Sequence, residues 1–144
     1  MNEEKNLEFK EHVSNTFLKT VSAFANFGTG KILFGVKDNG ESVGLEDVSS
    51  ARLDIENKIN DSIRPKPEYS FSVNKITNVL EVTVFKGEHT PYLYKGKAYR
   101  RADMADIEVD QDELKRLTLK GEHLYFEQLE ARNQQLRFSY LNGV

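Results

Sequence analysis

Three observations predict an α+β fold with a mixed, largely antiparallel sheet packed with helices. The order of patterns is strand, helix, strand, helix, then strands, which mixes local and crossover connections. Two runs alternate at period two, "YSFSVNKI" at 69–76 and "VLEVTVF" at 79–85, with only "TN" between them, the signature of an antiparallel hairpin. A short, almost wholly apolar run, "KILFGV" at 31–36, suits a strand covered on both faces.

The elements follow in order. An extended segment ends in "LEFK" at 7–10. "SNTFLKTVSAFAN" at 14–26 then places Phe17, Leu18, Val21, Phe24 and Ala25 on one helical stripe, with Ser14 as the expected N-cap. After "KILFGV", the turn "KDNG" at 37–40 closes the strand. "SSARLDIENKINDSI" at 49–63 reads as a second amphipathic helix with Leu53, Ile55, Ile59 and Ile63 inward, and Pro65 and Pro67 of "RPKP" stop it. Beyond the 69–85 hairpin, "PYLY", "KG" and "KAYRR" read as a further hairpin, and "DQDELKRLTL" at 110–119 as a helix with acids in its first turn, where the dipole favours them. "GEHLYFEQLEARNQQLRFSYLNGV" has helical spacing and is expected to be a docking or dimerising tail. The expected division is one domain over 1–120 and a helical tail over 121–144. No internal repeat or low-complexity segment is present.

The 144-residue chain suits one ordinary domain, and with no Cys its stability cannot rest on disulfides. No apolar run approaches a membrane span, and "MNEEKNLEFK" carries acids where a secretion signal needs a basic start, so the cytoplasm is the expected location and no membrane partner is expected. The net charge of −3 argues against indiscriminate polyanion binding, but the charge is uneven. Residues 103–144 carry 5 Lys and Arg against 9 Asp and Glu, whereas "KGEHTPYLYKGKAYRR" at 86–101 holds Lys86, Lys95, Lys97, Arg100 and Arg101 against Glu88 alone. That basic stretch is the candidate phosphate-binding surface, with Lys95, Lys97, Arg100 and Arg101 as its contacts. Tyr92, Tyr94 and Tyr99 offer stacking faces if exposed; Tyr92 and Tyr94, two apart, share a strand face and are expected half-buried.

"GTGK" at 28–31 resembles a phosphate-gripping loop but fails the P-loop pattern, because Ala25 stands where the first glycine belongs and Ile32 where the hydroxyl belongs. The loop also leaves a helix and enters a strand, the reverse of a P-loop, so no ATP site is expected. Gly28 is instead expected at positive φ as a helix C-terminal residue, with Gly30 opening the strand. His12, His89 and His123 are scattered without metal-ligand spacing, and no nucleophile triad can be assembled from them.

Taken together, "EFK" at 8–10, "VSAFANFGTGKILFGVKDNG" at 21–40, "PYLYKGKAYRR" at 91–101 and the helix between them resemble the Schlafen AlbA_2 domain family over about residues 3–120. One departure is Thr29, which precedes Gly30 where the family commonly has paired glycines. The resemblance implies a single Schlafen AlbA_2-like lobe that contacts nucleic acid, DNA or RNA, within a bacterial protein of regulatory or defence-related function; bacterial members are described as DNA-binding. It implies a second possibility, a metal-dependent endoribonuclease acting on structured RNA, as in the animal Schlafen proteins. Matching position by position, that activity would fall on Glu3, Glu8 and Asp38, as catalytic residues and as ligands of Mg²⁺ or Mn²⁺.

Carboxylates suit this role, since hard oxygen ligands hold the metal while it activates water and neutralises a cleaved phosphodiester. A spacing of five puts Glu3 and Glu8 on opposite faces of a regular strand, so joint coordination needs a bulge; Glu4 and Glu8 would share a face more easily. Asp38 is equally a normal turn residue. Lys10, beside Glu8, is either a phosphate contact at that site or a surface charge. Because the animal relatives pair two lobes in one chain, a homodimer is expected. A purely structural dimerisation domain is the third reading, resting on the acidic tail and the negative net charge.

Overall fold

The computed structural model describes residues 6–141. A four-stranded sheet has the order β1-β2-β5-β4, built from β1 (Leu7–Lys10), β2 (Gly30–Phe34), β5 (Val79–Val84) and β4 (Tyr69–Asn74). β1 and β2 are parallel, so a crossover must join them, and helix α1 (Phe17–Phe27) supplies it. The other two pairings are antiparallel, giving the mixed, largely antiparallel sheet that the sequence predicts. Helix α2 (Val48–Ser62) follows β2 and ends at the short strand β3 (Ile63–Arg64), directly before Pro65.

α1 and α2 cover one face of the sheet. Phe17, Leu18, Val21 and Phe24 of α1 and Ile55 and Ile59 of α2 pack with Ile32, Phe34, Leu80, Val82 and Val84 of the central strands in the main core. Phe9, Leu33, Val36 and Val79 form a smaller cluster on the other face, so β2 is apolar on both sides as its sequence demands. Leu53 departs from expectation: it is 59% exposed, because it lies off the stripe that Ile55, Ile59 and Ile63 make at a spacing of four. Ser14 does not cap α1. Thr16 takes the N-cap position without a capping bond, and the Ser14 hydroxyl bonds to the Thr16 hydroxyl instead.

The segment after β5 differs most from the sequence reading. "PYLY" and "KAYRR" meet only in a tight turn, where Tyr94 and Lys97 exchange backbone bonds. The strands then part: β6 (Leu93–Tyr94) pairs with β3, while β7 (Tyr99–Ala102) pairs with β8 (Ala105–Glu108) in a hairpin that packs against α1. Helix α3 (Gln111–Leu141) is continuous, so the boundary expected near residue 120 falls within it. Its first turns close a third cluster, in which Val109 and Leu117 meet Ala98, with Phe27 and Leu93 alongside. At Gly121 a Cβ would lie 2.1 Å from the Thr90 carbonyl oxygen, so only glycine lets α3 pass the 86–91 loop this closely.

Candidate nucleic-acid interface

The "GTGK" turn is a packing device. Gly28 is extended, with φ 178°, so it does not take the expected positive φ, and its N–H caps α1 by donating to the Phe24 carbonyl. At Gly30 a Cβ would lie 2.5 Å from the Phe24 ring, so glycine is what lets that ring lie over the start of β2. The loop runs from helix into strand.

The rest of the "SAFAN" block clamps the basic segment to α1. Ser22 and Asn26, one helical turn apart, are both fully buried. The Ser22 hydroxyl donates to the Tyr92 carbonyl at 2.7 Å and accepts from the Tyr99 N–H at 3.2 Å. Asn26 reads both backbone groups of Tyr92: its carbonyl accepts from the N–H at 2.7 Å, and its amide donates to the carbonyl at 3.0 Å. Buried polar groups must be satisfied, so these two side chains fix where residues 92–99 lie. Tyr92, Tyr94 and Tyr99 are all buried in the main core, more deeply than expected, and none presents an open stacking face.

Strand alternation separates the two arginines of β7. Arg100 points outward and is exposed, while Arg101 shares the inward face with Tyr99. Its side chain is 2% exposed, and one guanidinium nitrogen lies 2.8 Å from Glu8 Oε2 and 2.9 Å from Asp106 Oδ1. The second Asp106 oxygen accepts from the Thr20 hydroxyl at 2.6 Å, and the guanidinium lies over the Phe24 ring. Burial works against the charge on Arg101, but the hydrogen bonds and charges of Asp106 and Glu8 outweigh it and raise its pKa above the ordinary arginine value. Arg101 is thus a buried tie between α1, β1 and the β7–β8 hairpin, which corrects its assignment as an exposed phosphate contact.

The other expected contacts face solvent. Lys95 occupies the Tyr94–Lys97 turn at φ 51°, with its ammonium group 5.4 Å from the centre of the Tyr94 ring. Lys97 is exposed and pairs with Glu108 at 3.3 Å. Lys10 is partly exposed at the end of β1 and donates to the Thr16 hydroxyl.

Two of the three implied metal ligands lie among the described residues. Glu8 is buried against Arg101, Asp38 is exposed in the turn that Gly40 closes by donating to the Lys37 carbonyl, and Glu3 lies outside the described residues. No three His, Asp or Glu side chains among the described residues are placed to hold a metal ion. Of the described members of the constellation, Glu8 has its charge taken by the Arg101 guanidinium.

The family model for Schlafen, AlbA_2 matches residues 3–110. The chain belongs to the Schlafen AlbA_2 family. Its fold is similar to that of the DIP2311 protein from Corynebacterium diphtheriae, with a TM-score of 0.57 at 17% identity, covering 76% of this chain and 26% of that one. It is also similar to the N-terminal domain of an ATP-dependent DNA helicase RecG-related protein from Nitrosomonas europaea, with a TM-score of 0.50 at 23% identity, covering 76% of this chain and 86% of that domain. At these identities the likeness shows an AlbA_2-type fold, and the chain spans about a quarter of DIP2311. No curated protein matches the chain. No helix among the described residues is long and apolar enough to cross a membrane.

Proposed function

We propose that this AlbA_2 lobe is a nucleic-acid-binding module, working in the cytoplasm as part of a regulatory or defence-related protein. The observation that carries the reading is the rigid presentation of exposed cations: Ser22, Asn26 and the Arg101 network hold residues 92–106 on α1, and Lys95, Lys97 and Arg100 project from that fixed segment. Fixed cations neutralise phosphates without first ordering a loop, so more of the gain from counterion release is kept as affinity. Lys10 at the β1 end extends the same set of contacts. The DNA-helicase-related name of one structural relative, and the family itself, support a nucleic-acid ligand. A second copy completing the groove that the animal relatives build from two lobes belongs to the same reading.

The test is fluorescence anisotropy with tRNA and with duplex DNA across a salt series, with and without Mn²⁺. Binding that weakens steeply with salt, and a slope reduced by about one unit on duplex DNA in Arg100→Ala, is expected. No binding to either nucleic acid at low salt would sink the module. Mn²⁺-dependent cleavage of the tRNA would instead support the endoribonuclease reading with Glu3, Glu8 and Asp38.

A further inference from the structure

Where the end of α1 meets the first turns of α3 there is a cleft of about 300 Å³, which Arg100 of the basic segment also lines. Ala23, Phe24 and Phe27 make its apolar wall, and Asn6, Arg100 and Glu113 bring polar groups to it. Its volume lies at the lower end of ligand-sized sites, which suits a small planar group rather than a helix or a whole oligomer.

Two lysines lie on the segments next to the cleft, Lys86 after β5 and Lys120 on α3. Gly28 lines the cleft, and the hydroxyl of Thr29, the next residue, accepts from the backbone N–H of Lys86 at 2.9 Å. On α3, Glu113, Arg116 and Lys120 fall on one stripe at spacings of three and four, and Arg116 bonds to Glu113 at 2.6 Å. The nearby Lys120 ammonium group lowers the Lys86 pKa from the ordinary lysine value. Like charges held together in this way are relieved by an anion between them.

We propose that the cleft takes one unpaired nucleobase, stacked between Phe27 and the Arg100 guanidinium, with its phosphate on Lys86 and Lys120. The chemistry is specific to a base. An aromatic wall and a planar cation grip a π-face, while the Asn6 amide and the Glu113 carboxylate offer the donor and acceptors that a base edge needs. A paired base cannot enter, because its edge and faces are taken inside the duplex. The site deepens the nucleic-acid reading above and rests on it: the module would prefer single strands, loops or flipped positions to continuous duplex.

The experiment compares a 12-nucleotide single strand, the same strand made fully abasic, and a 12-base-pair duplex. Affinities and salt slopes are measured for the wild type, Phe27→Leu, Arg100→Gln and the Lys86→Ala/Lys120→Ala pair. Phe27→Leu keeps most of the volume that packs under α3, and Arg100→Gln is a surface change, so at least one stacking variant stays folded. The intact strand should bind about tenfold tighter than the abasic one. Phe27→Leu and Arg100→Gln should each remove most of that difference, and the lysine pair should lower the single-strand slope by about 1.4 units. A 2-aminopurine in the strand should change its fluorescence on binding to the wild type but not to Phe27→Leu. Equal affinity for intact and abasic strands overturns the cleft while leaving the binding module standing. No binding to strand or duplex overturns both.

Discussion

Arg101 on β7 reaches Glu8 on β1, 93 residues earlier in the chain, at 2.8 Å, and both side chains are buried. The guanidinium is shared with Asp106, so one buried cation holds two carboxylates and joins the sheet edge to the hairpin beside it. Removing it would leave two carboxylates without their counter-charge. Arg101→Ala is therefore expected to cost about 3–5 kcal/mol, in the range for breaking a buried ion pair from one side. Arg100→Ala, one residue away on the exposed face, should change stability by no more than about 0.5 kcal/mol. Urea denaturation of both variants checks this, and similar losses in the two would refute the inward placement of Arg101.

Asn26 is the second tie. Its side chain bonds both the N–H and the carbonyl of Tyr92; with a Leu of similar size the N–H would lose its partner, while the carbonyl would keep the Ser22 hydroxyl. Asn26→Leu should lower stability by about 1–3 kcal/mol, the cost of leaving one buried group, the Tyr92 N–H, without its partner. The urea midpoint should fall while the slope of the transition stays constant, as expected when the exposed surface is unchanged.

Much of this fold was legible because it rests on local periodicity. The α1 stripe, the 69–84 hairpin and the two-sided burial of β2 each follow from spacings within one short segment. What escaped depends on distant partners. β8, "ADIE", is four residues long with little apolar content, and the sequence pattern pairs its partner β7 with "PYLY". The burial of Arg101 needs Glu8 and Thr20 from the other end of the chain, yet one local signal was available: alternation puts Arg101 on the face of Tyr99 and Arg100 on the opposite one. Ser22 and Asn26 were overlooked for a related reason, since polar residues within a helical stripe show their use only when the segment they bond is in place. Of the candidate contacts, those needing only exposure in a turn, Lys95 and Lys97, lie where a basic hairpin would put them.

Gly30 tests the packing account of the "GTGK" turn. A methyl group there would meet the Phe24 ring at 2.5 Å, so the ring or the backbone must shift. Gly30→Ala should destabilise by about 1–3 kcal/mol through overpacking. The same change made in a Phe24→Leu background should cost less, because the ring atoms that clash are gone. A double-mutant cycle reports the difference as a coupling term. If the two changes simply add, the glycine is needed for something other than the ring.

Self-association provides a separate check. A chain of 16.5 kDa that completes its groove with a second copy should sediment as a dimer at micromolar concentration, or do so once a nucleic acid long enough for two lobes is added. Sedimentation as a monomer under both conditions would remove the dimer from the reading and leave the single-lobe interface intact.

Glu8 is where the binding and endoribonuclease readings part. In the first, its carboxylate serves Arg101, and Glu8→Gln keeps the shape while removing the charge that the guanidinium faces. The variant should lose about 1.5–3 kcal/mol, the range for a hydrogen bond to a charged group. Millimolar Mn²⁺ should then leave the melting temperature of wild type and variant alike unmoved. In the second reading Glu3, Glu8 and Asp38 hold the metal, so Mn²⁺ would raise the wild-type melting temperature by ligand linkage, and the gain would vanish in both Glu8→Gln and Asp38→Ala. Asp38→Ala separates the two cleanly, because Asp38 is an exposed turn residue whose loss should cost no more than about 1 kcal/mol and should not disturb Arg101. An Mn²⁺-dependent rise in the wild type that Asp38→Ala abolishes would overturn the pure binding module. An unchanged melting temperature, with tRNA left intact and bound, is the outcome expected from a Glu8 already neutralised by Arg101.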